Sequence, residues 1–333
     1  GNYALHTLYG KYNITGTGTI SSKLIAVVVK GSADINFTEY NTLTIGSGVT
    51  LSSQYGVLVD QTAGRNSAGQ AVAVPYAYGV NFTFNGTINA MQGLYVQGVI
   101  KHTDNPVRVN VGDTAVINAE KFAIYAAGYA QWTIGAAHIT GETAIGTKAG
   151  GFDLTNTTIT ATGPFVAGNV KDGGMDSTGT VFQVEHHASY ADQIEINIDG
   201  GTYTSVNGDV FHEYGLPDSS AARATTLTQA DININGGTFA AGANRAIFGG
   251  DTEEMDIEIT AGTFHGIDTP SFSENGYLVG NVHLDANGTV VANTPSRPSR
   301  PNHNTGNTTP DGDSNQPEPV LPDQPTTPDD NST

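Results

Sequence analysis

Ile194-Glu195-Ile196-Asn197-Ile198-Asp199-Gly200-Gly201-Thr202-Tyr203 alternates apolar and polar residues, breaks at a glycine pair and resumes with Thr and an aromatic ring. Side chains of a strand point to alternate faces, so Ile194, Ile196 and Ile198 share one face while Glu195 and Asn197 share the other. Glycine permits the tight bend that follows. The unit returns at Asp231-Ile232-Asn233-Ile234-Asn235-Gly236-Gly237-Thr238-Phe239 and at Met255-Asp256-Ile257-Glu258-Ile259-Thr260-Ala261-Gly262-Thr263-Phe264. A looser copy is Val282-His283-Leu284-Asp285-Ala286-Asn287-Gly288-Thr289-Val290.

Working toward the N-terminus, degenerate copies stand at Leu43-Thr44-Ile45, Phe82-Thr83-Phe84, Val107-Arg108-Val109-Asn110-Val111, Trp132-Thr133-Ile134 and Phe152-Asp153-Leu154. Each is followed by a second apolar run: Val57-Leu58-Val59, Leu94-Tyr95-Val96, Phe122-Ala123-Ile124-Tyr125, Thr143-Ala144-Ile145 and Pro164-Phe165-Val166. The inward positions recur every twenty-odd residues. The longer step from Leu154 to Ile198 reads as two coils, with Val181-Phe182-Gln183-Val184 in the middle one. Such a period is the mark of a solenoid, whose single coils cannot bury a core and must stack. Leucine-rich repeats lack support, since no Leu/Asn consensus recurs. The predicted fold is all-β: a single-stranded parallel β-helix, right-handed by the general crossover preference.

Residues 1–42, with Leu24 to Val29 and Asp34-Ile35-Asn36-Phe37, read as irregular first coils or a cap. The β-helix itself is expected over 43–294. From residue 295 proline recurs among Asn, Thr and Asp, with Val320-Leu321 the one adjacent apolar pair, so 295–333 reads as a disordered spacer.

Composition excludes several classes. With no cysteine there is no disulfide, thiol chemistry or Cys-built zinc site. The net charge of -19 argues against nucleic acid or an anionic membrane surface as partner. No apolar stretch reaches membrane-spanning length, so direct membrane insertion is not expected. The opening Gly1-Asn2-Tyr3 has no signal-peptide pattern, and an export signal is expected upstream.

Over roughly Leu43 to Val291 the chain resembles the pectin-lyase-like β-helix superfamily. The resemblance rests on Asp199-Gly200-Gly201-Thr202-Tyr203, Asn235-Gly236-Gly237-Thr238-Phe239 and Ala261-Gly262-Thr263-Phe264. These motifs are similar to repeats of bacterial surface proteins and autotransporter passengers. The superfamily also includes pectin lyases, polygalacturonases, phage tailspikes and adhesins. The Asn-Thr-Asp, Gly-His-Gly and Arg-Ile-Lys motifs of polygalacturonases do not occur here. The arginines of the body, Arg65, Arg108, Arg223 and Arg245, have no acidic cluster beside them of the kind that calcium-dependent pectate lyases need.

Two insertions carry the candidate site residues: 168–192, with Asp172-Gly173-Gly174, Asp176 and Glu185-His186-His187-Ala188-Ser189-Tyr190, and 212–229, with His212-Glu213-Tyr214. Loops on a rigid scaffold are where binding residues gather. His187, Tyr190, His212, Tyr214, Tyr95 and Tyr125 are the expected ligand-binding residues, the last two if they point outward. Glycan hydrolysis would need two carboxylates flanking the scissile bond. The best pair is Glu185 with Glu213, and Asp209 is in reserve. Adjacent His186 and His187 face opposite ways on a strand, so no metal site is expected. No cofactor is expected either, with calcium at Asp172-Gly173-Gly174 or Asp251-Thr252-Glu253-Glu254 as the alternative.

The expected function is that of a bacterial cell-surface adhesin or passenger domain, extracellular and anchored through sequence outside this chain, binding a surface glycan or protein. Homotypic association is open. The alternatives are a β-helical polysaccharide hydrolase or lyase and a structural stalk that binds nothing.

Overall fold

The computed structural model describes residues 1–8, 10–31, 38–60, 64–65, 71–72, 79–97, 106–168, 170, 176–186, 194–215, 230–250 and 255–293. The expected spacer from residue 295 lies outside the described residues. Those described form a parallel β-helix in which 23 strands join one continuous sheet system. Each turn of chain lays strands on three faces. The first sheet runs from Lys11–Ile14 through Asn41–Ile45, Val80–Phe84, Val107–Val111, Ala130–Ile134, Gly150–Thr155 and Ile194–Asp199 to residues 230–234 and 255–259. The second runs from Gly18–Ser21 through residues 49–52 and 87–90, Val116–Ala119, His138–Gly141, Thr158–Ala161 and Thr202–Ser205 to 238–240 and 263–265. The third runs from Tyr3–Thr7 through Ile25–Lys30, residues 55–60 and 92–96, Phe122–Ala126, Thr143–Thr147, Phe182–His186 and Phe211–Gly215 to Phe248–Gly249. The strands within residues 3–30 already follow this pattern.

In-register pairing converts the Ile-x-Ile pattern into columns. On the first sheet Leu43, Phe82, Val109, Trp132, Phe152, Ile196, Ile232 and Ile257 stack one above the next and are buried. Toward the C-terminus the interior becomes aromatic. Phe182 stacks on Phe211 with centroids 4.6 Å apart, Tyr203 on Phe239 at 4.8 Å and Phe239 on Phe264 at 5.0 Å, all nearly parallel. Those separations match the rung spacing of about 4.7–4.9 Å, so the backbone sets the rings at stacking distance. The Gly-Gly corner is forced as well. Gly200 and Gly201 take φ +82° and +99°, and a Cβ on Gly201 would sit 2.3 Å from the Thr157 carbonyl oxygen.

Four expectations are corrected. Gly150–Thr155 pairs directly with Ile194–Asp199, and Leu154 faces Ile198, so the step between them is one coil with a long insertion rather than two coils. Val181-Phe182-Gln183-Val184 is the third-sheet strand of that same coil, pairing with Thr143–Thr147. Pro164-Phe165-Val166 is not a strand; the segment is a connection whose Val166 amide bonds the Thr178 carbonyl. The looser copy at Val282 is no coil either: Val282–Leu284 pairs antiparallel with Val290–Ala292. The coil also carries three strands where two were expected, because the Thr-aromatic run and the later apolar run occupy different faces.

That hairpin belongs to a C-terminal cap. Phe272 is fully buried and packs on Phe248 at 5.5 Å and Phe264 at 5.4 Å, so it meets the ends of two aromatic columns. Asp268 accepts the Ile247 amide at 2.7 Å and the Phe248 amide at 2.9 Å, satisfying backbone donors at the end of the third sheet.

Phe211→Ala removes the ring between Phe182 and Phe248 and should cost roughly 3–5 kcal/mol in equilibrium denaturation. Thr204→Ala, on the outer face of the same coil, should change stability by less than about 0.5 kcal/mol.

Candidate functional site

The insertions bring the expected residues onto neighbouring strands of the third sheet. Phe182–His186 and Phe211–Gly215 are adjacent parallel strands, with Gln183 facing His212 and Glu185 facing Tyr214. Val184 faces Glu213, and Val184 lies in the core. Strand alternation therefore sends Glu185 and Glu213 to opposite sides of the sheet. Both carboxylates are buried. A pair so placed leaves no room for a sugar between its members. His187 and Tyr190 lie outside the described residues, as do Asp172-Gly173-Gly174 and Asp251-Thr252-Glu253-Glu254.

Glu185 is the acceptor at the end of a buried polar chain. Thr178 Oγ1 donates to Gln183 Oε1 at 2.7 Å and lies 2.9 Å from Thr180 Oγ1. Gln183 Nε2 donates to Glu185 Oε1 at 2.8 Å, and the Tyr125 hydroxyl donates to Glu185 Oε2 at 3.1 Å. Lys148 Nζ lies 3.8 Å from the same Oε2, with its side chain 3% exposed. Its ammonium also stands 5.6 Å from the centre of the Tyr125 ring. Burial outweighs the ion pair for both partners. It raises the Glu185 carboxyl to about 7, opposed by Lys148 and by the Gln183 and Tyr125 hydrogen bonds. It also lowers the Lys148 ammonium, with Glu185 opposing.

Tyr125 and Tyr95 face each other in register on the outer side of the third sheet. Tyr125 is fully buried in a small cluster with Phe122 and Ala127, against which the half-buried Tyr95 packs. The two rings lie 5.2 Å apart, and Tyr55 meets Tyr95 edge-on at 6.1 Å. Both point away from the core column, yet Tyr125 is covered and offers no platform for a ligand.

Asp209 and His212 form a second couple, Oδ2 to Nδ1 at 2.5 Å. Asp209 Oδ1 accepts the Ala246 amide at 2.8 Å, which ties the couple to the next coil. Phe165 meets the imidazole edge-on at 5.3 Å, and the Arg245 guanidinium lies 3.7 Å from the centre of the Phe165 ring. The Tyr214 hydroxyl donates to the Val166 carbonyl at 2.9 Å, so the connection 164–167 is pinned over this face. A Cβ on Gly249 would meet Asp209 Oδ2 at 2.2 Å, so a larger residue there would have to displace the Asp209–His212 couple. Nearby Ser205 donates to the Gly179 carbonyl at 2.6 Å and accepts the Gly208 amide, which makes it a turn residue rather than a nucleophile. Among the described residues no group of three or more His, Asp or Glu side chains gathers as a metal site would need. Among them, too, no helix is long and apolar enough to cross a membrane.

The open surface lies elsewhere. On the outer face of the second sheet one row reads Thr19, Thr50, Thr87, Val116, His138, Thr158, Thr202, Thr238, Thr263, each in register with the next. A parallel row reads Ser21, Ser52, Asn89, Asn118, Thr140, Thr160, Thr204, Ala240, His265. Every one of these residues is exposed or half-buried, apart from the partners they flank inward, and none is Asp, Glu, Lys or Arg. At the border with the third sheet this face forms a groove of about 710 Å³ over the first five coils. The first sheet differs: its outer face stacks Glu195, Asp231 and Asp256 in one row. Sequence reasoning passed over the ladder although its signal recurs after the bends, as in Thr50-Leu51-Ser52, Thr87-Ile88-Asn89, Thr158-Ile159-Thr160 and Thr202-Tyr203-Thr204. Comparison with protein-family models, with characterised proteins and with solved structures found no match.

The raised Glu185 carboxyl makes stability depend on pH. The folded chain holds this proton up to about pH 7 and the unfolded chain to its ordinary value of 4.5. Between them the folded state binds the extra proton, so stability should fall as pH rises from 4.5 to 7 and then level off, by roughly 1–3 kcal/mol. Lys148 acts at the alkaline end, where its lowered value adds stability as pH climbs. Urea titrations from pH 4.5 to 8 should show the decline in the native chain and lose it in Glu185→Gln.

Proposed function

We propose that this chain is a bacterial cell-surface display domain of the pectin-lyase-like β-helix type, an adhesin or passenger. It binds a surface glycan or protein through the outer face of its second sheet. The observation that carries this reading is the in-register ladder of mainly hydroxyl and amide side chains, without Asp, Glu, Lys or Arg along nine coils on a chain of net charge -19. A rigid scaffold with a regular polar face suits lateral binding, since little side-chain and backbone freedom is lost on contact. The Pro-rich composition from residue 295 supports a spacer between this domain and an anchor in the envelope.

The polysaccharide hydrolase or lyase reading has less support. Glu185 and Glu213 are buried and fall on opposite sides of their sheet, and Asp209 is occupied by His212 and the Ala246 amide. Perturbed carboxyls do mark active sites, but an active site must also admit its substrate.

Arrays of glycans and extracellular host proteins, probed with the full chain, should show saturable binding to at least one class. Ser52→Lys combined with Asn89→Lys, which puts bulk and charge on the ladder, should weaken that binding about tenfold or more. Silence across both arrays would leave a stalk without a ligand. Release of products from neutral or uronate-containing polysaccharides, abolished by Glu185→Gln with the fold intact, would replace the display reading with an enzyme.

A further inference from the structure

The groove at the border of the second and third sheets has features the ladder as a whole does not share, and they concern the kind of ligand. We infer that it is a subsite for an uncharged glycan strand lying parallel to the helix axis; the inference rests on the display reading above and narrows it.

The groove extends from Ser22 in the first coil to Thr140 in the fifth. Four rung steps make a length on the order of 19 Å, long enough for several linked sugar rings. Its volume of about 710 Å³ admits a short oligosaccharide. Along it Ser52, Asn89, Asn118 and Thr140 stand in one register row. Asn118 Nδ2 donates to Asn89 Oδ1 at 3.0 Å. That bond fixes both amides and turns the Asn89 amino group and the Asn118 carbonyl toward other partners. The row thus offers donors and acceptors in alternation, which is what a chain of sugar hydroxyls can answer, because each hydroxyl both donates and accepts.

Part of the lining is apolar, formed by Ala90, Met91 and Ala119. They give the C–H faces of sugar rings a surface to cover, and the unbranched thioether adapts to irregular shapes. The wall is already ordered. Ser22 N bonds Ser53 Oγ at 3.1 Å, Ser22 Oγ donates to the Ile25 carbonyl at 2.6 Å, and Ser53 Oγ donates to the Ser52 carbonyl at 2.6 Å. These turns need no rearrangement to receive a ligand.

Charge selects the class. The groove holds one cation, Lys23, in its first coil, and one carboxylate, Glu120, in its fourth, and they cancel. The body around it is strongly acidic. A uronate or sulfated polymer approaching this face meets a repulsive field with a single lysine to offset it, whereas a neutral polymer meets none. The chemistry therefore points to a neutral polysaccharide and away from the polyanions that the fold's resemblance brings to mind.

Calorimetric titration of the full chain tests this, with neutral gluco-, manno- and xylo-oligosaccharides of two to six units and oligogalacturonate as the charged counterpart. At least one neutral series should bind, more tightly with length up to the span of the groove. Its Kd should change less than about twofold between roughly 0.05 and 0.5 M salt. Asn89→Ala combined with Asn118→Ala should weaken it about tenfold with an unchanged circular dichroism spectrum and Tm. Asp231→Asn combined with Asp256→Asn, on the outer face of the first sheet, should leave it within about twofold. If oligogalacturonate or a protein binds and every neutral series fails, the inference falls while the display reading stands. If a neutral series binds with undiminished affinity to the Asn89 and Asn118 variant, the groove is the wrong place. If nothing binds in any class, both fall together.

Discussion

Parallel, in-register pairing between successive coils is the constraint on which everything else in this molecule rests. Rungs lie about 4.8 Å apart, and residue i of one coil stands over its equivalent in the next. A residue type chosen once is therefore met by the same position again and again, and each column must be able to stack on itself. Apolar columns do so at a profit, as the Leu43-to-Ile257 column and the ring stacks around Phe211 and Phe239 show. Amide columns also succeed, since Asn is both donor and acceptor: Asn233 Nδ2 bonds Asn197 Oδ1 at 2.9 Å, as Asn118 bonds Asn89. The interior ends where a residue without a successor is required, and Phe272 supplies it by turning across the ends of two columns.

The same constraint explains what the sequence made legible. The first sheet has one buried face and one wet face, so Ile194, Ile196 and Ile198 alternate with Glu195, Asn197 and Asp199 and can be read directly. The third sheet is covered on both faces in its middle coils. Phe122–Ala126 and Thr143–Thr147 are buried at every position, and alternation vanishes. For that reason the direction of Tyr95 and Tyr125 was open to either reading. The step from Leu154 to Ile198 misled for a different reason. An insertion between the second-sheet strand Thr158–Ala161 and the third-sheet strand Phe182–His186 doubled the length of one coil, and spacing alone cannot separate a long coil from two short ones.

Site chemistry was less legible than fold. Glu185, His212, Glu213 and Tyr214 do meet on neighbouring strands, as their insertions suggested. Residue identity did not disclose that Glu213 turns inward, nor that the outer face shared by Glu185, His212 and Tyr214 is closed. Its cover comes from residues far apart in sequence: the Val166 carbonyl that receives the Tyr214 hydroxyl, the Arg245 side chain over Phe165, and Tyr125 reaching Glu185 from two coils away. A buried ion pair such as Lys148–Glu185 adds little net stability against an apolar alternative. Here it sits within a hydrogen-bonded chain that fixes the register of the inserted strand against its neighbours. The cluster is thus better understood as the internal fastening of a long insertion than as a reaction centre.

Hydroxyl columns cost nothing and charged columns repel, so a second sheet without Asp, Glu, Lys or Arg in its outer rows invites explanation as a by-product of stacking. The first sheet argues otherwise. Its outer face carries Glu195, Asp231 and Asp256 in one column, where like charges stand directly opposite. Asn197 donates from one Nδ2 to both Asp153 Oδ1 and Glu195 Oε1 at 3.0 Å, easing part of that repulsion. The fold therefore accepts carboxylate columns on an outer face when amides stand beside them. Thirty-two acidic residues had to be placed in this chain, and the second sheet had Asn and Thr neighbours equally able to soften their stacking. That none entered either of its two rows separates this face from the outer face of the first sheet, and stacking energetics alone do not account for the difference.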